Sequence, residues 1–546
     1  MAGHGSKPLR GLESTKQSST GTAKFGRMFR WLEPAQSPQG GAEDTELVGV
    51  LQGLAALMVT TDFKDNIAKG KLTPDTPITE PEPEDENPTI AAGYTYFAQF
   101  IDHDITFDPA SSLQQQNDPD ALDDFRTPRL DLDNVYGRGP DDQPYLYEKP
   151  ARTKFILGGD RGLAGMVRPD LQRTADGTAV LGDKRNDENK IVAQIQALFL
   201  RFHNKVFDDL APRFGPGQRG EQFRTAQRIV RWCYQYIVLT DFLPKVCDKH
   251  VVAAIMPSAG KRAPSFELYA PHGGDAYIPV EFSVAAYRFG HSMVRPSYAL
   301  NDEVGVTILS TADFPSPGGP KKFARIPIFV AHAAASTDAM NGFGEFAPQL
   351  PPKWGADWRF FFGKLGTSAP GAMQLPQPSY RMDAKLVDPL GDLPEFAAAG
   401  VLPPFTSLAF RNLLRGVRLG LPSGQRIADM MGVKKSMTDK ELWAKQNKEE
   451  TIVDWPEGKA FFAANKKWLE GSAPLWYYIL KEAEIRHHGH HLGETGSRIV
   501  AETMIGLVWF DHYSYLFQVP HWTPADEGIA GLGTGLDMLA LTKYVG

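Results

Sequence analysis

Gln99-Phe100-Ile101-Asp102-His103-Asp104 interrupts an otherwise apolar and aromatic run, YTYFAQFIDHDITFDP over residues 94–109. On a helix Gln99, Asp102 and His103 stand at i, i+3 and i+4, so an amide, a carboxylate and an imidazole share one face. Asp104 is turned ~100° away, towards a different neighbour. Four polar groups among aromatics cost burial energy unless each finds a partner. The run is therefore a site candidate on chemical grounds alone.

Three further segments set polar side chains three apart among apolar residues. In GDKRNDENKIVAQ, Arg185 and Glu188 stand at the entrance to a long apolar helix. In EFSVAAYRFGHSMVRP, Arg288 and His291 share a face. In LAFRNLLRGVRLGLPSG, Asn412 and Arg415 do the same before helix-ending Gly and Pro. Taken singly, each has a plain structural reading: a satisfied core histidine, or a surface ion pair worth little. Together, two histidines in apolar surroundings with an Arg, carboxylates and an amide suit a haem with one axial ligand and one acid–base residue.

The rest of the chain bounds the possibilities. Its 546 residues, with 42% hydrophobic and 23% charged and a formal charge of −7, read as a globular protein without the basic stripe that nucleic acid requires. Cys233 and Cys247 make neither a disulfide scaffold nor a metal motif. No apolar run reaches membrane-spanning length, and no signal peptide is visible in the polar first 30 residues, so a cytoplasmic location is the default expectation, with non-classical secretion as the other route.

Residues 1–45 read as a disordered tail, and residues 46–546 as one large domain. Helical spacing is expected over 47–58, 190–207, 221–242, 280–294, 405–418, 457–481 and 495–510. Strand patterning is scarce, with 325–331 the best candidate. The fold class is mainly α, with long loops and little strand. The tight group His487, His488, His490 and His491 reads as a solvated loop, and His203 as structural.

The four polar segments, in this order, resemble the animal-type haem peroxidases of the peroxidase–cyclooxygenase superfamily, including bacterial relatives with myeloperoxidase- or lactoperoxidase-like motifs. The resemblance runs over roughly residues 46–515. It implies central helices sandwiching a haem b, and a reaction in which hydrogen peroxide oxidises the haem to an oxoferryl state. Small organic donors, halides or thiocyanate would restore it. It makes His103 the distal base, Arg185 the distal cation, Gln99 the distal amide that binds water or halide, and His291 the axial iron ligand. Asn412 would accept a hydrogen bond from the ligand's other nitrogen, and Arg288 and Arg415 would lie near the haem propionates. Asp102 and Glu188 match carboxylates that ester-link to the haem. The methionine that adds a third link in some members is Asn189 here, which rules that link out.

The same resemblance implies a Ca2+ site from Asp104, Thr127, Arg129 (through its carbonyl), Asp131 and Asp133, in keeping with calcium's demand for about six to eight hard oxygens. Two other functions belong to the comparison: a fatty-acid dioxygenase of the cyclooxygenase branch, and a non-catalytic haem- and calcium-binding scaffold. The dioxygenase chemistry uses a tyrosine three residues before the proximal histidine, where this chain has Arg288; Tyr287 lies four before.

Overall fold

The computed structural model describes residues 25–38, 40–60, 85–106, 127–257, 263–271, 274–304, 326–328, 350, 353–366, 375–393, 400–447 and 449–546. Seven helices carry the architecture: α1 (Gly41–Met58), α2 (Gly93–Ile105), α3 (Lys190–Asp209), α4 (Arg219–Ile237), α5 (Leu408–Arg418), α6 (Leu475–His487) and α7 (Glu494–Trp509). Among the described residues the strands form only two-stranded pairs. β1 (Phe25–Gly26) is parallel to β3 (Ile278–Pro279). β2 (Glu86–Ala91) is antiparallel to β6 (Pro378–Tyr380), and β4 (Ser297–Tyr298) to β5 (Ile326–Pro327). The mainly α expectation holds, and β5 falls within the expected 325–331.

Helix α2 is the centre of the core. Its aromatic residues are the reason: Phe100 stacks on Phe199 of α3 with ring centroids 4.7 Å apart, and Tyr234 of α4 meets Phe100 edge-on. Burying each such ring stabilises by roughly 1.5–3 kcal/mol. The backbone approaches closely where α2 begins. The Gly93 N–H donates to the Phe361 carbonyl, and a Cβ at Gly93 would lie 2.5 Å from that oxygen. Every residue of α2 is buried except Gln99 and Asp102. Two polar side chains therefore break an otherwise sealed helix, and both face the same space.

Three expectations need correction. The tail was expected to extend to residue 45, but residues 25–38 and 40–45 are structured: Phe29 is fully buried, and the buried Glu281 carboxylate accepts from the Met28 and Phe29 N–H groups. That anchor lies about 250 positions away, so local polarity gives no hint of it. The continuous helix over 280–294 is instead a short helix at Val280–Val284 and a 3-10 turn at Ala286–His291, broken at Ala285. Side chains at i and i+3 eclipse in a 3-10 turn, so Arg288 and His291 still share a face. The expected helix 457–481 is interrupted before Pro474, the N-cap residue of α6. Among the described residues no helix is long and apolar enough to cross a membrane.

Candidate functional site

One cavity brings together polar residues of three of the four segments, the fourth supplying only Leu408. Gln99, Asp102 and His103 of α2 line it with Glu188, Asn189, Arg288 and His291. Tyr96, Tyr287, Val294, Ile328, Leu390, Leu393 and Leu408 supply apolar walls. It encloses about 1010 Å³ of empty space, its open mouth included.

The tautomer of His103 is set by a relay of amides. The Asn134 carbonyl can only accept, so Gln196 turns its Nε2 to it at 3.2 Å. The Gln196 Oε1 then accepts from Asn186 Nδ2 at 2.8 Å, which leaves Asn186 Oδ1 facing His103 Nδ1, also at 2.8 Å. His103 therefore donates through Nδ1–H and keeps its lone pair on Nε2. Burial, with the Arg185 cation beside it, lowers its pKa from 6.5 to about 4. The result is a neutral imidazole with a basic nitrogen, buried at the edge of the cavity.

Arg185 departs from expectation. It is not among the residues lining the cavity. Its Nη2 donates to the carbonyls of His103 and Thr106 and to Asp183, and Asp183 caps the 3-10 turn that carries Arg185. The carbonyls at the C-terminal end of α2 attract the cation, and Asp183 neutralises it. Arg185 thus holds the end of the helix that bears His103.

The proximal histidine is built with the opposite polarity. His291 Nδ1 is 2.8 Å from Asn412 Nδ2. Arg288 Nη1 lies 2.8 Å from Asn412 Oδ1 and has only donors, so the amide must turn its NH2 to the imidazole. Asn412 was expected to accept from His291; here it donates. Burial and the Arg288 cation lower the His291 pKa to about 3. Arg288 itself, desolvated and close to Arg415, is pushed down to about 10. Trp476 of α6 stands edge-on to His291, its indole N–H donating to the Arg288 carbonyl.

Asp102 accepts from the Thr106 hydroxyl at 3.1 Å. Glu188 Oε2 accepts from Gln99 Nε2 at 3.1 Å and lies 3.9 Å from His103 Nε2. Asn189 caps α3, with Oδ1 accepting from the Ile191 and Val192 N–H groups, while its Nδ2 donates to Gln99 Oε1 at 2.9 Å. Asn186, Gln196 and Asn134 were not recognised in the sequence. The available signal was Gln196, a fully buried amide among several buried polar residues on α3.

The acidic turn at 127–133 meets the back of α2. Fully buried Asp104 accepts from the Leu132 N–H at 3.1 Å, and Leu132 adopts a left-handed conformation (φ 58°) to present it. Thr127 Oγ1 donates to Asp131 Oδ2 at 2.9 Å, whereas Asp131 Oδ1 is buried without a hydrogen-bond donor among the described residues. Among those residues no group of three or more His, Cys, Asp or Glu side chains is arranged to hold a metal ion. The four-histidine run is not a solvated loop: it caps α6, and His490 lies 3.3 Å from Glu450, which also pairs with Arg381. His203 is structural, bonded to Tyr136 and the Thr153 carbonyl.

Residues 124–315 match the family model for animal haem peroxidase. That span contains Arg185, Glu188 and His291. Over that span the chain is similar to the animal haem peroxidases. A peroxidase-like protein from Margaritifera margaritifera is 30% identical over 210 residues, covering 36% of this chain and 24% of the relative; the match thus spans about a quarter of that protein. Peroxidase A from Dictyostelium discoideum shares the fold, with TM-score 0.54, 14% identity and coverage of 84% and 85% of the two chains. A fatty acid alpha-dioxygenase from Oryza sativa does so with TM-score 0.53, 13% identity and coverage of 84% and 73%. The peroxidase–cyclooxygenase fold expected from the motifs is therefore the observed one.

Proposed function

We propose that the chain is a haem-dependent peroxidase that reduces hydrogen peroxide at the expense of small donors. The observation that carries this is the pair of neutral histidines on one cavity, His103 buried and His291 half-buried, each backed at Nδ1 by an asparagine. The residues suit a haem. His291 would hold the iron, and Arg288 and Arg415 would be cations for the carboxylates of the cofactor. Bound haem would supply the redox iron, and every other role falls to the protein.

His103 Nε2 takes a proton from peroxide and returns it to the departing oxygen, a role for which a general base gains about 10²–10⁴-fold. Arg185 is a positioning residue that fixes the His103 backbone and keeps the imidazole neutral. Ligation through His291 Nε2 calls for the proton on Nδ1 and the Asn412 oxygen opposite it. Arg288, once paired with a carboxylate of the cofactor, would release that oxygen.

A peroxidase is favoured over a dioxygenase by Arg288, which holds Asn412 at the position where the dioxygenase reading needs a tyrosine. The Tyr287 hydroxyl, four before His291, donates to the Ala98 carbonyl. The test is reconstitution with haem followed by rapid mixing with peroxide. A Soret band that bleaches and returns on adding donor supports peroxidase action; one that peroxide leaves unchanged sinks it.

Asp102 lines the cavity and is proposed to ester-link to the haem on peroxide turnover. Acidified solvent should then extract haem from Asp102→Val but not from wild type, and full extraction from treated wild type rejects the link. Calcium is proposed at Asp104, Thr127, Asp131, Asp133 and the Arg129 carbonyl, for which the undonated Asp131 oxygen is the supporting observation. A calcium chelator should lower the melting temperature, by roughly 4 °C per kcal/mol lost or less for a chain of this size. An unchanged melting temperature rejects the site.

A further inference from the structure

We propose that the distal half of the cavity excludes anionic donors and admits neutral or cationic ones, with Glu188 as the discriminating charge and Asn189 as its positioning residue. The proposal rests on the haem reading above and narrows its donors: small neutral or cationic organic molecules rather than halide or thiocyanate.

The argument is one of hydrogen-bond polarity. As the cap of α3, Asn189 accepts two backbone N–H groups through Oδ1, so its amide cannot be turned round without losing both. Its Nδ2 is thereby aimed at Gln99 Oε1. That contact fixes the Gln99 amide in turn, and Gln99 Nε2 is directed onto Glu188. Two consequences follow for an anion approaching His103. The Gln99 amide N–H facing Glu188 is taken up by a carboxylate. A negative charge also stands 3.9 Å from His103 Nε2, where the anion would sit.

The nearby charges do not reverse this. Asp102 is a second carboxylate on the lining until peroxide turnover esterifies it, after which Glu188 alone carries the charge. Arg185 is outside the lining, with Nη2 on Asp183 and two carbonyls, and its single charge acts on both Asp102 and Glu188, while Arg288, on the lining, donates through Nη1 to Asn412. Like charges brought together at short range are strongly disfavoured in a site screened from water. An ester at Glu188 would abolish the charge, so the proposal also states that Glu188 remains a carboxylate.

The test uses the full-length ferric haem protein and follows the Soret band during titration with thiocyanate and, separately, with cyanide, which enters as the neutral acid. Glu188→Gln is expected to bind thiocyanate at least about 10-fold more tightly than wild type, with cyanide affinity changed far less. Asn189→Ser, which keeps a cap but is too short to reach Gln99, should give a smaller gain in thiocyanate affinity; no gain overturns the role of Asn189. Equal thiocyanate affinity in wild type and Glu188→Gln, with cyanide binding to both, overturns the proposal while leaving the haem reading intact. A Soret band that cyanide does not shift rejects the haem reading and this proposal with it.

Discussion

His103 and His291 look alike in sequence and differ in the direction of one hydrogen bond. Both line one cavity, His103 buried and His291 half-buried, and both have Nδ1 2.8 Å from an asparagine side chain. On the distal side the amide relay ends at a backbone carbonyl, so each amide turns its oxygen towards the histidine and Nδ1 must donate. On the proximal side it ends at Arg288, which can only donate, so the amide turns its nitrogen to the histidine and Nδ1 must accept. The identity of the group at the far end of the relay decides what the imidazole can do. His103 is left with a basic Nε2 permanently, whereas His291 gains a lone pair on Nε2 only when Arg288 is drawn elsewhere.

The largest way to break this comparison is His103→Ala. With the haem protein, the rate of the peroxide-induced Soret change should fall by about 10²–10⁴-fold. A rate within a few-fold of wild type would mean that another group handles the proton. Asn412→Leu attacks the other side and should weaken haem retention by about 10–100-fold, as loss of a ligand-orienting partner does elsewhere. A competition assay with a haem-scavenging protein reads this directly, and unchanged retention would remove Asn412 from the proximal design.

The smallest effect at neutral pH is the acid limb. His103 is brought from 6.5 to about 4 and must be neutral to act, so the rate with peroxide should stay flat through pH 6.5 and fall only near pH 4. Stability follows the same sign. Both histidines have folded values below 6.5, so the unfolded chain binds more protons between pH 6.5 and about 4. Their contribution is complete above pH 6.5 and is lost as pH falls through that window. A rate profile that bends near 6.5 would show that His103 is not desolvated as described.

Much of this was legible in the sequence because the site lies on local patterns. Helical spacing pointed to shared faces that the structure brings to one cavity: Gln99, Asp102 and His103 at i, i+3 and i+4, and Arg288 and His291 at i and i+3, since α and 3-10 geometry both put i and i+3 on one side. What spacing cannot supply is the direction of an amide. Asn186 sits in a charged run with no periodicity, and its partner His103 is 83 positions away. Arg185 was placed in the right neighbourhood with the wrong orientation, because its pairing with Asp183 and the end of α2 depends on how two distant segments meet. Residues 25–38 were missed for the same reason, their anchor being the distant Glu281.

The most direct test of the account is the tautomeric state of the two histidines in 15N-histidine-labelled, haem-free protein, read by long-range 1H–15N correlation. Asn186→Leu and Asn412→Leu identify the two signals. The structure predicts opposite states, His103 protonated at Nδ1 and His291 protonated at Nε2. Finding both histidines in the same tautomer would contradict it.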